Sequence, residues 1–153
     1  MREQATEALG GDVTVEEWES RLLHEVRRPA PGCCVRVTRL RMDPSDVDNG
    51  MDVLQTSVVP ATEVLDGFCG ISLWANARTG RAVSAVVYDS AESIAATRGS
   101  AARLRAASAA KSHATIEAVD EFAVLWTSWD RRLPPQGTQV PMQAEDARHS
   151  VGA

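Results

Sequence analysis

Hydrophobic and polar positions alternate in two neighbouring stretches near the middle of the chain, 68–77 and 81–88. Such alternation is typical of β-strands, because successive side chains of a strand point to opposite sides of the sheet. The three residues between the stretches, Arg78-Thr79-Gly80, form a turn signal in which the glycine can adopt the left-handed conformation of a short loop. The pattern therefore predicts a β-hairpin, and we expect the rest of the chain to pack around it.

Alternation also predicts a strand on either side of the hairpin, over 33–42 and 118–126. In the earlier strand, Arg36, Arg39 and Arg41 carry long apolar stems that can cover hydrophobic surface while their charged heads stay in water. We therefore expect these arginines to belong to a solvated face. Neither face of the hairpin is strongly polar, which indicates a sheet that is covered on both sides.

Three segments have helical spacing. The first, 14–26, begins with the capping box Thr14-Val15-Glu16-Glu17 and predicts a short amphipathic helix whose apolar face carries Val15, Trp18, Leu22 and Val26. The second begins at Asp43-Pro44-Ser45 and has one apolar face that we expect to pack against a core. This face consists of Val47, Met51, Leu54, Val58 and Leu65.

Proline and glycine are expected to interrupt the later helices. Pro60 has no amide hydrogen to donate and clashes with the preceding turn, so it predicts a kink or break near Val58-Val59. The third helix, over about 91–112, follows Asp89 or Ser90 as N-cap. Gly99 weakens this helix and is expected to divide it.

The order of these elements predicts an α+β fold of the ferredoxin-like β-α-β-β-α-β type, with a four-stranded antiparallel sheet and both helices on one face. We expect an N-terminal arm with the short helix over 1–32, the folded domain over 33–130 and a flexible C-terminal tail over 131–153. The other face of the sheet would be bare and apolar. A homodimer with two sheets packed face to face is therefore predicted, with two-fold symmetry as the default.

Charge and composition narrow the function. The formal net charge is -5 and no basic run exceeds two residues, so nucleic-acid binding is not expected. No apolar run approaches the roughly 20 residues of a membrane span, and the N-terminus lacks the apolar core of a signal peptide, so we expect a cytoplasmic protein.

Cys33, Cys34 and Cys69 are expected to be reduced strand residues. The preference for alanine, and for arginine over lysine, suggests an actinobacterial source.

Motifs for common chemistries are missing from the sequence. It contains no P-loop, CxxC pair, HExxH motif or signature of a Ser/His/Asp triad. Four carboxylates, Asp43, Asp46, Asp48 and Asp52, cluster at a helix start without the spacing of a calcium loop. Because acidic residues in a first helical turn offset the helix dipole, we predict no metal site there.

Short motifs at the element boundaries resemble a known group of proteins. They are Val58-Val59-Pro60-Ala61, Gly67-Phe68 with Gly70, Thr79-Gly80, and Tyr88-Asp89-Ser90. Together they resemble the dimeric α+β barrel superfamily, specifically its antibiotic biosynthesis monooxygenase-like group, over roughly 33–126. Members of that superfamily include cofactor-independent oxygenases of polycyclic phenols, haem-degrading enzymes and proteins without an assigned activity. The resemblance therefore implies one of these three roles.

The resemblance also implies where a site would lie. The haem-degrading branch uses an asparagine on the first strand and a tryptophan near the second helix; this chain has neither, so no haem or other cofactor is expected. The phenol-oxidising branch surrounds an apolar pocket with residue types that this chain offers at Trp74, Asn76, Tyr88, Arg98, His113 and Trp126.

Each of these residues also has a structural interpretation. The tryptophans suit a core or a dimer interface, Asn76 suits a turn, and His113 suits the C-terminal end of a helix. Two functions stay open. The first is a homodimer that binds an apolar or aromatic small molecule and resembles monooxygenases of aromatic or polyketide-like substrates. The second is a non-catalytic binding or interaction module, in which the segment 14–26 and the tail contact a partner.

Overall fold

A computed structural model describes Gly10 and residues 14–125. Five strands form a single antiparallel sheet in the order β1-β3-β4-β2-β5. The strands are β1 (Glu19–Glu25), β2 (Cys34–Arg41), β3 (Phe68–Asn76), β4 (Arg81–Tyr88) and β5 (Thr115–Ala123). Within the described residues, no helix is both long and apolar enough to cross a membrane. The predicted tail, 131–153, lies outside the described residues, as does most of the predicted flexible arm before residue 14.

The helical segments lie between β2 and β3 and between β4 and β5. After β2 come a 3₁₀ turn (Pro44–Asp46), α1 (Val47–Val53), a π-helical turn (Leu54–Val58) and α2 (Val59–Glu63). After β4 come α3 (Ala91–Ala96) and α4 (Arg98–Lys111). Ser90 caps α3 by accepting a hydrogen bond from the Ser93 amide, and the predicted division of this helix falls at Thr97, two residues before Gly99.

The predicted hairpin is confirmed with nearly the expected ends. Gly80 has φ +68°, the left-handed conformation that the turn requires. A β-carbon at this position would collide with the Met42 carbonyl oxygen, and the Met42 amide donates to the Gly80 carbonyl at 2.9 Å. Gly80 therefore lets the hairpin turn lie directly against the end of β2.

The α+β class is confirmed, but the sheet has five strands instead of the predicted four. The helix predicted over 14–26 is wrong, because residues Glu19–Glu25 form β1, which pairs antiparallel with β3. Val15 and Val26 of the predicted apolar face are exposed, whereas Leu22 packs against the core. The free edge of β3 supplies backbone partners that helical periodicity does not reveal, so tertiary pairing outweighs the local pattern.

Pro60 disrupts the helix between β2 and β3 close to the predicted position. It cannot donate a hydrogen bond to the preceding turn, and the Val59 amide donates to the Leu54 carbonyl five residues back. The resulting π-helical turn, Leu54–Val58, widens the helix without ending it. The predicted break is therefore a local widening, and the wall continues into α2.

The two faces of the sheet differ in what covers them. One face, here called the covered face, packs against the helices and carries Ile71, Leu73, Ala82 and Tyr88, all buried. The opposite face, called the open face, has no helix over it within the described residues. Its centre is apolar and half-buried, and consists of Val35, Val37, Val83, Ala85 and Val87.

Candidate functional site

A cavity of about 90 Å³ lies between the covered face and the helices. The strands β2, β3 and β4 form its floor, and α1, the π-helical turn, α2 and α4 form its wall. Most of the lining is apolar, including Leu40, Met51, Leu54, Val58, Leu73 and Leu104. A small number of polar side chains interrupt this surface, and these determine which chemistry the cavity can support.

Arg36 is the most buried charged residue of the cavity, with 2% of its surface exposed. Its guanidinium donates to the Glu121 carboxylate at 2.9 and 3.0 Å, to the Tyr88 hydroxyl at 3.1 Å and to the Ile94 carbonyl at 2.7 Å. It also lies 5.2 Å from the centre of the Tyr88 ring. The expectation that Arg36 is solvated is therefore wrong. A buried charge needs such partners, and these contacts leave Arg36 little capacity to bind a ligand.

Glu121 joins the buried arginine to the surface. Arg98 donates to its carboxylate at 2.7 and 3.1 Å from the solvent side, while Arg36 donates from the interior. Hydrogen bonds from Arg98 are the main cause that lowers the pKa of Glu121, and Arg36 contributes further. The carboxylate is therefore ionised at neutral pH and neutralises part of the positive charge beside the cavity.

Arg105 is the second arginine of the cavity wall. It lies on the side of α4 that carries the other lining residues Ala101, Ser108 and Ala109. No hydrogen bond or ion pair joins its guanidinium to any residue that the structure describes. Burial lowers the pKa of Arg105 and repulsion from Arg36 acts in the same direction, while Tyr88 and the Glu121 carboxylate act against this shift without contacting the guanidinium.

Two hydroxyl groups on the floor also have unused hydrogen-bonding capacity. Thr38 and Ser84 are cross-strand partners on β2 and β4, with 6% and 8% of their surfaces exposed. Both line the cavity, and neither side chain has a hydrogen-bond partner among the described residues. By contrast, the hydroxyl groups of Thr62 and Ser108 donate to carbonyl groups of their own helices at 2.6 and 2.7 Å. The free hydroxyl groups are thus concentrated at the centre of the floor.

Of the six site residues predicted from the sequence, Tyr88 lines the cavity. Trp74 is on the open face, 38% exposed, because it alternates with the cavity-lining Leu73 and Ala75. Asn76 is buried, but its side-chain oxygen accepts hydrogen bonds from the Arg78 and Thr79 amides, so it holds the hairpin turn.

The remaining three lie away from the cavity or outside the described residues. Arg98 does not line the cavity; it donates to Glu121, which in turn pairs with the lining residue Arg36. His113 is just beyond α4, with φ 53° and a 3.4 Å contact to Asp46, and its side chain is 70% exposed. Trp126 lies outside the described residues. The structure therefore does not bring the six predicted residues together.

Arg36, Thr38, Ser84 and Arg105 were missed by the sequence analysis. The signal for Arg36 and Thr38 was their alternation with Leu40, which places all three on one side of β2. The signal for Arg105 was its spacing of four residues from both Ala101 and Ala109 on one helix. In each case the period of the strand or helix indicated a position facing the cavity, but the polar side chain was taken as evidence for a position facing solvent.

Metal and thiol chemistry find no support in the described part of the chain. No group of three or more His, Cys, Asp or Glu side chains is placed to hold a metal ion there. Asp43 instead caps the 3₁₀ turn, and Asp48 pairs with Arg21 at 2.7 Å. The three cysteines are free, and burial raises the pKa of Cys69 to about 11, which keeps its thiol protonated.

Comparison with known proteins finds relatives without an assigned activity. The uncharacterized Mycobacterium tuberculosis protein Rv2557 is 39% identical over 108 residues, which are 71% of this chain and 48% of Rv2557. The uncharacterized protein Rv2558 of the same organism is 36% identical over 123 residues, 80% of this chain and 52% of Rv2558. The chain thus spans about half the length of the curated relatives it matches. No family model matches it.

Among solved structures, the chain is similar to a Lactobacillus acidophilus protein provisionally described as a monooxygenase. The two share 8% sequence identity with a TM-score of 0.48, over 67% of this chain and 47% of the other.

Proposed function

We propose that the protein binds a small apolar or aromatic molecule in the cavity and that it acts as a homodimer. The observation that carries this proposal is a largely apolar cavity with polar groups whose hydrogen-bonding capacity is not used by the described residues, namely Thr38, Ser84 and Arg105. Ligand sites commonly combine such an apolar lining with a few convergent polar groups. No buried side-chain nitrogen or oxygen atom of the described residues lacks a hydrogen-bond partner. The polar atoms of Thr38, Ser84 and Arg105 are therefore accessible, and a ligand that enters the cavity can reach them.

The polar groups favour binding over acid-base catalysis. No carboxylate or imidazole is among the described residues that line the cavity. A general base must come within hydrogen-bonding distance of the proton that it removes. An oxygenase reaction of the kind implied by the resemblance would therefore need a substrate that ionises unaided. Acidic phenols among aromatic or polyketide-like compounds meet this requirement, and we propose them as substrates if the protein is an enzyme.

Binding can be tested with indole, a neutral aromatic probe. Ser108→Phe places a ring in the cavity, whereas Ala107→Phe adds the same ring to the exposed side of α4. We expect ligand-observed NMR to detect indole bound to the wild type and to Ala107→Phe, and to show binding weakened at least about tenfold in Ser108→Phe, because a blocked cavity excludes the probe.

Equal binding of indole to both variants would contradict the cavity as the binding site, and a wild type that binds neither indole nor any other small aromatic probe would contradict the binding proposal. An enzymatic role is tested separately by oxygen uptake with a dihydroxynaphthalene, measured above the spontaneous oxidation of that compound. Uptake that is present in the wild type and lost in Ser108→Phe would support catalysis in the cavity.

The homodimer rests on the open face. Five apolar residues at its centre are half-buried and receive no cover from the described residues, and larger exposed side chains flank them, including Leu23, Trp74 and Phe122. Extended apolar patches are uncommon on the surface of a monomer. A second copy is the occupant that we propose, because a two-fold axis lets one patch bury itself against its own copy. Arg39 and Asp120, which pair at 2.6 Å on this face, supply both charge signs for such a self-complementary contact.

A non-catalytic interaction module is the second candidate, and the same exposed aromatic residues favour it. Under this alternative, Trp74 and Phe122 contact a different protein, and the cavity serves no ligand. A monomer in solution that binds no indole would favour this module over the small-molecule function.

A further inference from the structure

The charges beside the cavity are unbalanced. Arg36, Arg98 and Arg105 bring three guanidinium groups to this region, and Glu121 pairs with the first two. Arg105 receives no such partner from the residues that the structure describes. Its surroundings are partly apolar, with Leu104 beside it in the wall and Tyr88 on the floor. A positive charge that is partly removed from water gains most from an anion that can reach it.

The free hydroxyl groups add a second contact point. Thr38 and Ser84 lie side by side on neighbouring strands of the floor, opposite the helical wall that contains Arg105. Each hydroxyl can both donate and accept a hydrogen bond. A ligand with an anionic oxygen at Arg105 and a further polar atom could therefore use the arginine and the hydroxyl groups together.

The size of the cavity limits the ligand. The cavity, at about 90 Å³, is several times larger than the roughly 10–15 Å³ that one buried water needs, so it has room for several water-sized groups. A single ring with one acidic substituent is of this size.

We infer that the cavity selects a monocyclic aromatic acid, bound as its anion with the acidic group at Arg105 and the ring among the apolar side chains. This inference rests on the proposed function, since it names the chemical class of the ligand in the same cavity. Arg105 determines the preference for the acid, the floor hydroxyl groups add hydrogen bonds that a charged or a neutral ligand can use, and Leu54 and Leu104 contact the ring. Arg36 instead holds the floor in place, because its donors are already used by Glu121, Tyr88 and Ile94.

The test compares benzoate with benzamide, which has the same shape without the charge. We expect calorimetry at pH 7 to show that the wild-type chain of 153 residues binds benzoate about tenfold more tightly than benzamide, as a charge-assisted contact requires. Arg105→Met should remove this preference. Arg103→Met is the matched control, because Arg103 is exposed on the same helix and, among the described residues, its guanidinium donates to Ser100 and not to the cavity.

The hydroxyl groups give an independent measurement. Thr38→Val keeps the shape of the floor but removes one hydroxyl, so it should weaken benzoate and benzamide by similar factors and leave their ratio near the wild-type value. Equal affinities for benzoate and benzamide in the wild type would overturn the inference. So would a preference that survives in Arg105→Met.

The outcomes also separate this inference from the function on which it rests. If indole and benzamide bind in the cavity and benzoate has no advantage, the binding function holds and the choice of an acid is wrong. If indole, benzamide and benzoate all fail to bind, the small-molecule function itself is wrong.

Discussion

Two arginine-carboxylate pairs join the same two strands, β2 and β5, on opposite faces of the sheet. Arg36 pairs with Glu121 on the covered face, and Arg39 pairs with Asp120 on the open face. Only 2% of the Arg36 side chain is exposed, compared with 45% for Arg39. Arg36 has additional contacts with Tyr88 and the Ile94 carbonyl. The comparison teaches that burial, and not the chemical type of the pair, determines what each pair contributes.

Arg36→Met should show the largest difference between the faces. It removes the guanidinium that donates hydrogen bonds to the Tyr88 hydroxyl and to the Ile94 carbonyl. We therefore expect the free energy of unfolding to fall by about 3 kcal/mol. Arg39→Met is the matched variant, and an exposed pair predicts a loss of less than about 1 kcal/mol. Urea denaturation measures both. Equal losses would show that burial does not distinguish the pairs.

Ala85→Arg tests the open face. Ala85 is opposite Val37 at the centre of this face, so a charge there should raise the dissociation constant of the proposed dimer by about thirtyfold, or about 2 kcal/mol. Ala102→Arg, on the exposed side of α4, serves as control. Sedimentation should show a shift toward the 16.5 kDa monomer for Ala85→Arg alone. A wild type that is monomeric at micromolar concentration would contradict the dimer.

Acid should weaken the pair on the covered face. Contacts with Arg98, and then with Arg36, lower the pKa of Glu121 in the folded state. Its contribution to stability is therefore complete above the ordinary glutamate value of 4.5 and is lost as the pH falls through the lower folded-state pKa. Thermal unfolding between pH 6 and 3 measures this loss, which Glu121→Gln should reduce. An unchanged profile in that variant would assign the acid sensitivity to other groups.

His113→Gly should have the smallest effect. It tests the left-handed residue that follows the C-terminal end of α4. His113 has φ 53°, which costs a side chain energy that glycine avoids. We expect a gain of up to about 1 kcal/mol in the free energy of unfolding, reduced by loss of the Asp46 contact. His113→Ala has no such backbone freedom and is the control. If both variants lose the same free energy of unfolding, the contact between His113 and Asp46 outweighs the backbone strain at this position.

The central part of the fold was predictable because local patterns agree with tertiary structure there. The alternation in 68–77 and 81–88, together with Gly80, defines the hairpin before any long-range contact is considered. β1 was not predictable in this way. Its residues fit a helical period, and only the unpaired edge of β3, which is distant in sequence, selects the strand.

The candidate site was less predictable than the fold. Tyr88 was identified, but Trp74 and Asn76 were chosen by residue type, and the sheet places one on the open face and the other in a turn. Arg36 and Arg105 follow the inward period of their elements. Their charge hid this, because an arginine at an inward position is expected to be solvated unless its partners are known.

The π-helical turn gives the wall of the cavity one place that can absorb a change in chain length. The Val59 amide donates to the Leu54 carbonyl five residues back, so this turn holds one residue more than an α-helical turn. Deleting one residue there would let the turn close to α-helical spacing, whereas deleting one residue within α1 or α2 would rotate the side chains on its two sides relative to each other by about 100°. A deletion inside the turn therefore adjusts the shape of the cavity, whereas a deletion elsewhere in this wall replaces the set of side chains that form it.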